Sequence, residues 1–244
     1  MSRATVCAVV RGGGEAALTA VRRQSESPER IVVAGAGSWH AAVRDGRGPE
    51  AWLWLIDDDV VPDARALEAL RDVLADLRDL PVPSLLAGKV VGPGGELHVA
   101  GAPWPPLHDR TVAIAAAAHG LAAIRLARWG SLLMSTDALA AHGPPSAGFA
   151  GGADDLEWTA RLLRDAPGYL VPGSRATRTA TRTRGPREWA DRVRMLRSPA
   201  WMPLEAPWFA YASALEAAGT RRSPSRTPRA TVRRLAALRR LARR

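Results

Sequence analysis

The sequence predicts an α/β protein organised around a parallel β-sheet, and three apolar runs near its start are the basis of this prediction. They cover residues 4–10, 31–34 and 51–56 and are rich in β-branched or large apolar side chains, as buried strands are. A glycine turn at residues 11–14 and helical apolar spacing over residues 15–23 separate the first two runs. The order strand, turn, helix and strand is typical of the start of a parallel sheet.

The alternation of strands and helices continues to about residue 174. Additional strands are predicted over residues 85–91, 129–135 and 169–171, and additional helices over residues 38–44, 64–78, 137–142 and 154–164. Asp63 is the expected N-cap of the helix over residues 64–78, because a short carboxylate can accept the first free backbone N–H groups of a helix.

Composition excludes several classes of protein. Apolar residues make up 47% of the 244 residues, which is enough to form a buried core. No run of 18 or more apolar residues indicates a membrane-spanning helix, and the first residues lack the apolar stretch of a secretory signal peptide. The single cysteine, Cys7, excludes an internal disulfide framework and favours a reducing, cytoplasmic location.

Charge divides the chain into a mildly acidic part and a strongly basic end. Residues 1–174 carry 16 Lys+Arg against 20 Asp+Glu, a net charge of −4, whereas residues 175–244 carry 18 against 4, a net charge of +14. We expect three segments: an α/β domain over residues 1–178, a Trp- and Arg-rich helical extension over residues 179–218, and a basic linker with an amphipathic helix over residues 219–244.

Three consecutive aspartates, Asp57, Asp58 and Asp59, directly follow the third predicted strand. Open α/β sheets bind ligands at the carboxyl ends of their strands. Alternate residues of an extended segment point the same way, so Asp57 and Asp59 are expected to face one ligand. Carboxylate oxygens are the ligands that hard divalent cations prefer, and mutual repulsion of the three carboxylates requires positive charge nearby. A solvated acidic loop is the alternative interpretation.

Three blocks of sequence occur in order along the chain. The first is residues 52–63, which contains the apolar strand, the three aspartates and Val-Val-Pro-Asp. The second is Trp129-Gly130-Ser131, and the third is residues 152–173, with Asp-Asp-Leu-Glu-Trp near its start. Together they resemble family-2 glycosyltransferases, particularly the galactofuranosyl- and rhamnosyltransferase-like branch, over about residues 4–178. The resemblance implies a GT-A-type fold, a mixed and mainly parallel sheet flanked by helices, with a basic helical C-terminal appendage.

On the donor side, the resemblance implies that Asp57 and Asp59 bind a metal–diphosphate unit, the cation being Mg or Mn. Asp58, Arg11 and Arg178 would also contact the donor, a sugar linked to UDP or dTDP. Arg11 follows the first strand, where such folds hold the nucleotide; a solvated arginine in a turn is the alternative.

On the acceptor side, the resemblance implies that Asp155 is the general base that deprotonates an acceptor hydroxyl. Asp154, Glu157 and Trp129 would bind the acceptor, with Trp129 stacking on a sugar ring. The alternative for the three acidic residues is a helix start with acidic first-turn side chains. The alternative for Trp129 is a core aromatic residue.

The chain departs from the family pattern at three places. Ala34 ends the second strand, where the family has an aspartate that binds the pyrimidine ring. The segment between Ser38 and the third strand is short. Arg178 lies near the position of a metal-binding histidine; an arginine cannot ligate a metal but can bind phosphate, so it would replace part of the cation's role or impair the enzyme.

The resemblance therefore implies an inverting glycosyltransferase that acts on a hydroxyl of a glycan, glycolipid or small molecule, as in cell-wall polysaccharide synthesis. A catalytically degenerate binding or regulatory protein on the same fold is the alternative, and a basic membrane-surface adaptor is another.

The basic end of the chain has three interpretations. Residues 221–244 hold ten arginines and no acidic residue. A solvated tail is the simplest interpretation, and docking on the anionic inner face of the cell membrane is the next. Nucleic-acid binding ranks last, because no recognition motif accompanies the charge.

Overall fold

The computed structural model describes residues 3–35, 39–77, 79–97, 104–106, 110–146, 148–149, 153–180 and 186–220. The chain divides into two compact units, residues 1–203 and residues 204–244. The predicted terminal helix after residue 230 lies outside the described residues. None of the helices in the described ranges is long and apolar enough to cross a membrane.

The first unit is built on a mixed sheet of eight strands within the described residues. The strands are β1 (Val6–Arg11), β2 (Arg30–Ala34), β3 (Trp52–Ile56), β4 (Val60–Pro62), β5 (Leu85–Val91), β6 (Ala122–Ile124), β7 (Ser131–Ser135) and β8 (Gly168–Arg178). Their order is β2-β1-β3-β7-β5-β8-β4, with β6 paired to β8. Strands β1, β2, β3, β5 and β8 run in one direction, and β4, β6 and β7 run against them. The predicted mixed, mainly parallel sheet is confirmed.

Helices cover both faces of this sheet. They are α1 (Glu15–Arg22), α2 (Trp39–Gly46), α3 (Ala66–Ala75), α4 (Arg110–Ala118), α5 (Thr136–His142), α6 (Asp154–Leu162) and α7 (Pro186–Met195), followed in the second unit by α8 (Glu205–Thr220). Cys7 and Val9 of β1 share a core with α2, α5 and α6. Val6, Ala8 and Val10 share the opposite core with α1, α3 and α4. Because both faces are buried, the strands are continuous apolar runs rather than alternating ones.

Some elements differ from the sequence-based prediction. Helix α3 begins at Ala66, and its cap position is Arg65 without a side-chain cap bond, so the prediction of Asp63 as N-cap is wrong. The chain stays extended through β4 and turns at Asp63, whose carbonyl accepts from the Ala66 N–H at 3.0 Å. Strand β4 and the extension of β8 past Val171 were not predicted. β4 pairs with this extension, and the extension also pairs with β5.

Candidate functional site

Backbone hydrogen bonds hold the three aspartates where β3 ends. The Asp57 N–H donates to the Gly130 carbonyl at 3.1 Å, and the Val60 N–H donates to the Asp57 carbonyl at 3.1 Å, which closes a tight turn into β4. The Thr179 N–H donates to the Asp59 carbonyl at 2.8 Å. These bonds tie the aspartates to the start of β7 and the end of β8, two strands that are distant in sequence.

The glycine turn after β1 packs directly on the aspartates. Gly12 and Gly13 have φ values of +70° and +67°, which side-chain-bearing residues rarely adopt. A Cβ on Gly14 would lie 2.3 Å from the backbone oxygen of Asp58. Because the three glycines have no side chains, this turn can approach the aspartates closely, and Arg11 at the end of β1 lies beside the aspartates at the end of β3.

Two guanidinium groups face these carboxylates. Arg11 Nη2 lies 2.6 Å from Asp57 Oδ1. Arg178 Nη2 lies 3.6 Å from Asp57 Oδ2, and its Nη1 lies 3.5 Å from Asp59 Oδ2. Arg178 also donates to the Trp129 carbonyl at 2.6 Å. Asp57 is fully buried and Arg178 is 3% exposed, so the pairing compensates charges that burial alone would make very costly. The predicted positive charge near the aspartates is present.

The carboxylates converge as a cation site requires. Ligand oxygens of Asp57, Asp58 and Asp59 lie within 4.8 Å of one another, which suits the predicted Mg or Mn. Two arginines oppose the binding of a cation here, because each oxygen of Asp57 faces a guanidinium and Asp59 faces Arg178. A divalent ion between Asp57 and Asp59 would meet positive charge already in place. The carboxylates together with their arginines therefore do not fit a resident cation.

Asp155 is a buried residue in the first turn of α6. Its Oδ2 accepts from the Trp129 N–H at 3.1 Å, and its Oδ1 accepts from the Leu156 N–H at 2.7 Å. Arg128 Nη1 lies 3.6 Å from Oδ1. At 3% exposure, this carboxylate joins α6 to the segment that leads into β7. The predicted role of Asp155 as base stays a prediction.

Asp154 is half-buried beside Asp155. Burial, followed by repulsion from Asp155, raises the pKa of Asp154 to about 6, and the indole N–H of Trp129 and the charge of Arg11 oppose the rise. A carboxyl group with such a pKa is charged at neutral pH yet basic enough to accept a proton. Asp154 therefore combines partial exposure with a raised pKa, whereas Asp155 is 3% exposed.

Trp129 lies in a cluster of three tryptophans. Its ring stacks on Trp39 with centroids 4.4 Å apart and planes at 23°, and the Trp158 ring lies 5.3 Å away. The Arg11 guanidinium lies 5.2 Å from the Trp39 ring centroid. Trp129 is 4% exposed, so Trp39 covers a face that was predicted to stack on a sugar. Sequence reasoning did not single out Trp39, although a tryptophan at the start of an amphipathic helix is a signal of burial.

Glu157 pairs with an arginine of its own helix rather than with groups near Asp57, Asp58 and Asp59. It forms a bidentate pair with Arg161, both contacts at 3.1 Å. Arg161 also donates to the carbonyl of His142, the last residue of α5, and to that of Pro144 just after it. This pair connects α6 to the end of α5 and the loop that follows α5. The predicted contact of Glu157 with the acceptor stays a prediction.

No protein-family model matches the chain, and no curated protein matches its sequence. Solved structures do match it. The structure of GalNAc-T7 with UDP, GalNAc and Mn2+ gives a TM-score of 0.55 at 11% identity, covering 80% of this chain and 48% of that one. S. aureus TarS gives 0.55 at 9% identity, covering 84% and 41%, and S. aureus TarS 1-349 gives 0.54 at 11%, covering 84% and 68%.

The chain has the GT-A fold. The predicted fold class is thereby confirmed, and the galactofuranosyl- and rhamnosyltransferase-like branch stays a prediction. The chain spans slightly less than half the length of the GalNAc-T7 and TarS chains. Identities of 9% to 11% establish the fold alone.

Proposed function

We propose that this chain is an inverting glycosyltransferase that moves a sugar from UDP or dTDP to an acceptor hydroxyl. The observation that carries the proposal is the position of Arg11, which pairs with Asp57 at 2.6 Å and also lowers the pKa of Asp154 through its charge. The charge of one side chain thus acts both on the carboxylates at the end of β3 and on a half-buried base at the start of α6. In a GT-A fold, this edge of the sheet is where a ligand would lie.

The chemistry requires one proton acceptor and one place for developing negative charge. The acceptor oxygen attacks the anomeric carbon from the face opposite the diphosphate and forms the new C–O bond. The bond from that carbon to the diphosphate oxygen breaks, and the nucleoside diphosphate leaves. Asp154 takes the hydroxyl proton, and Arg11 stabilises the charge on the leaving diphosphate. A single displacement of this kind inverts the anomeric configuration.

We exchange the roles that the sequence suggested for the two adjacent aspartates. Asp154 is the base, because it is half-buried and burial raises its pKa to about 6. Asp155 positions the acceptor side by holding the Trp129 backbone at 3.1 Å. Glu157 supports α6 through Arg161.

The acceptor class follows from the resemblance and from the basic end of the chain. A glycan or lipid-linked acceptor fits an enzyme whose last 24 residues carry ten arginines and no acidic residue, because anionic headgroups attract such segments. We propose a cytoplasmic protein that binds peripherally to the inner face of the membrane.

A donor screen tests the activity. Release of UDP or dTDP is measured over a panel of nucleotide sugars, with wild type, Asp154→Asn and Asp57→Asn. We expect turnover by wild type and a loss of about 100-fold or more without the base. Asp137→Asn, on the exposed start of α5, is the matched control and should keep full activity. Turnover that both site variants retain would contradict the proposal.

A degenerate binding protein is the second candidate. It is favoured by the stacking of Trp39 on Trp129 at 4.4 Å, which covers the predicted sugar-binding face, and by Ala34 at the end of β2. This candidate predicts nucleotide binding without turnover of any donor. Calorimetric titration with UDP, beside the donor screen, separates the two functions.

A further inference from the structure

The buried charges at the end of β3 balance without an added ion. Asp57 and Asp59 contribute two negative charges, and Arg11 and Arg178 contribute two positive charges within 3.6 Å of them. Asp58 is different, since 45% of its side chain is exposed to solvent. The buried part of the cluster is therefore neutral, which is the state that a divalent cation would otherwise have to produce.

Arg178 is held in place by the fold. It is the last residue of β8, where it pairs with Val60 of β4. Its Nη2 donates to the Trp129 carbonyl at 2.6 Å, and the residue is 3% exposed. A guanidinium fixed by a backbone carbonyl and two carboxylates differs from a surface arginine, which could move aside for an incoming ion.

Arg11 is the more accessible of the two arginines. Its side chain is 14% exposed, against 3% for that of Arg178. The contact to Asp57 uses Nη2, and a guanidinium carries five N–H donors in a planar fork that suits phosphate oxygens. Arg11 is therefore the group at this edge that can meet an incoming diphosphate.

We propose that Arg178 is the built-in cation of this site, so that a nucleoside diphosphate binds without a divalent ion and meets Arg11. The inference rests on the proposed function for the identity of the ligand. Arg178 acts as a positioning residue: it neutralises Asp57 and Asp59 and keeps them in the arrangement that holds Arg11.

The first experiment uses the metal alone. Mn²⁺ is titrated into the full chain and free Mn²⁺ is followed by electron paramagnetic resonance. Wild type and the charge-conserving Arg178→Lys should not bind the ion. Arg178→His replaces the guanidinium by a neutral metal ligand, so its affinity for Mn²⁺ should exceed that of wild type by at least about tenfold. Stoichiometric binding by wild type that Asp59→Asn abolishes would overturn the proposal, as would equal affinities of wild type and Arg178→His.

The second experiment needs no variant and therefore does not depend on how substitutions fold. UDP and dTDP are titrated into wild type by calorimetry, in EDTA and in Mn²⁺. A dissociation constant that changes less than about twofold between the two conditions supports the proposal. Binding that appears only with Mn²⁺ overturns it and leaves the proposed function intact. Binding of neither nucleotide in either condition overturns the proposed function, and the inference with it.

Discussion

The proposed role of Asp154 predicts a pH dependence of the reaction that is specific to one residue. Because burial and Asp155 raise its pKa to about 6, the base is protonated at pH 5 and free at pH 7. We expect kcat/KM to rise about tenfold per pH unit below pH 6 and to level off above it. Asp154→Asn should lack this limb while retaining nucleotide binding. An identical profile in the variant would assign the limb to another group.

The same pKa predicts an effect on stability. The folded pKa of Asp154 is raised above its value of 3.8 in a model peptide, so its contribution to stability is present below pH 3.8 and is lost as the pH rises to about 6. Asp154→Asn removes the cost of the buried charge. We expect a higher melting temperature than wild type at pH 7.5 and little difference at pH 4. A lower melting temperature at pH 7.5 would show that the charged form makes compensating contacts.

At the scale of elements, the glycine turn after β1 is a sensitive point of the site. A Cβ on Gly14 would lie 2.3 Å from the Asp58 backbone oxygen, whereas nothing lies within 4 Å of one on Gly35. Gly14→Ala should therefore push β1 from the aspartates and cost about 1–3 kcal/mol of unfolding free energy. It should also weaken UDP binding. Gly35→Ala is the control, and equal denaturant midpoints for the two variants would contradict the predicted close approach.

Elements with their own pattern were predictable from sequence, whereas elements that depend on partners were not. β1, β3 and β5 are apolar runs whose burial on both faces is visible in the residue types. β4 has three residues and is a strand because it pairs with β8. The pairing of β8 with β5 is itself irregular, because its register shifts between Gly88 and Lys89 of β5. A shift of this kind depends on tertiary contacts, which a local pattern does not contain.

The same distinction applies within the site. The aspartates after β3 were singled out from their place at the end of a strand, and those at the start of α6 from the resemblance to a family. The stacking of Trp39 on Trp129 was not found, because it joins residues 90 positions apart in sequence. The roles of Asp154 and Asp155 also depend on which carboxylate meets the Trp129 backbone, and adjacent residues at a helix start give no sequence signal for that.

At the scale of the whole molecule, charge separates the acidic α/β part from the basic end. Residues 1–174 carry a net charge of −4 and residues 175–244 carry +14. The basic end is the part of the chain that an anionic membrane attracts most strongly. Attraction of this kind falls steeply with salt, because ions screen charges beyond about 8 Å at physiological ionic strength.

This charge asymmetry makes membrane attachment testable in the full chain. Arg233, Arg234, Arg239 and Arg240 are replaced together by Gln, which removes four charges at constant length. At about 1 kcal/mol per arginine near an anionic surface, the variant should bind phosphatidylserine vesicles roughly a thousandfold more weakly. Cosedimentation in low salt measures this, with neutral vesicles as the control. Because none of the four arginines has a role in the proposed reaction, the variant should keep wild-type turnover of a soluble acceptor. Unchanged vesicle binding would show that the basic end is not the membrane anchor.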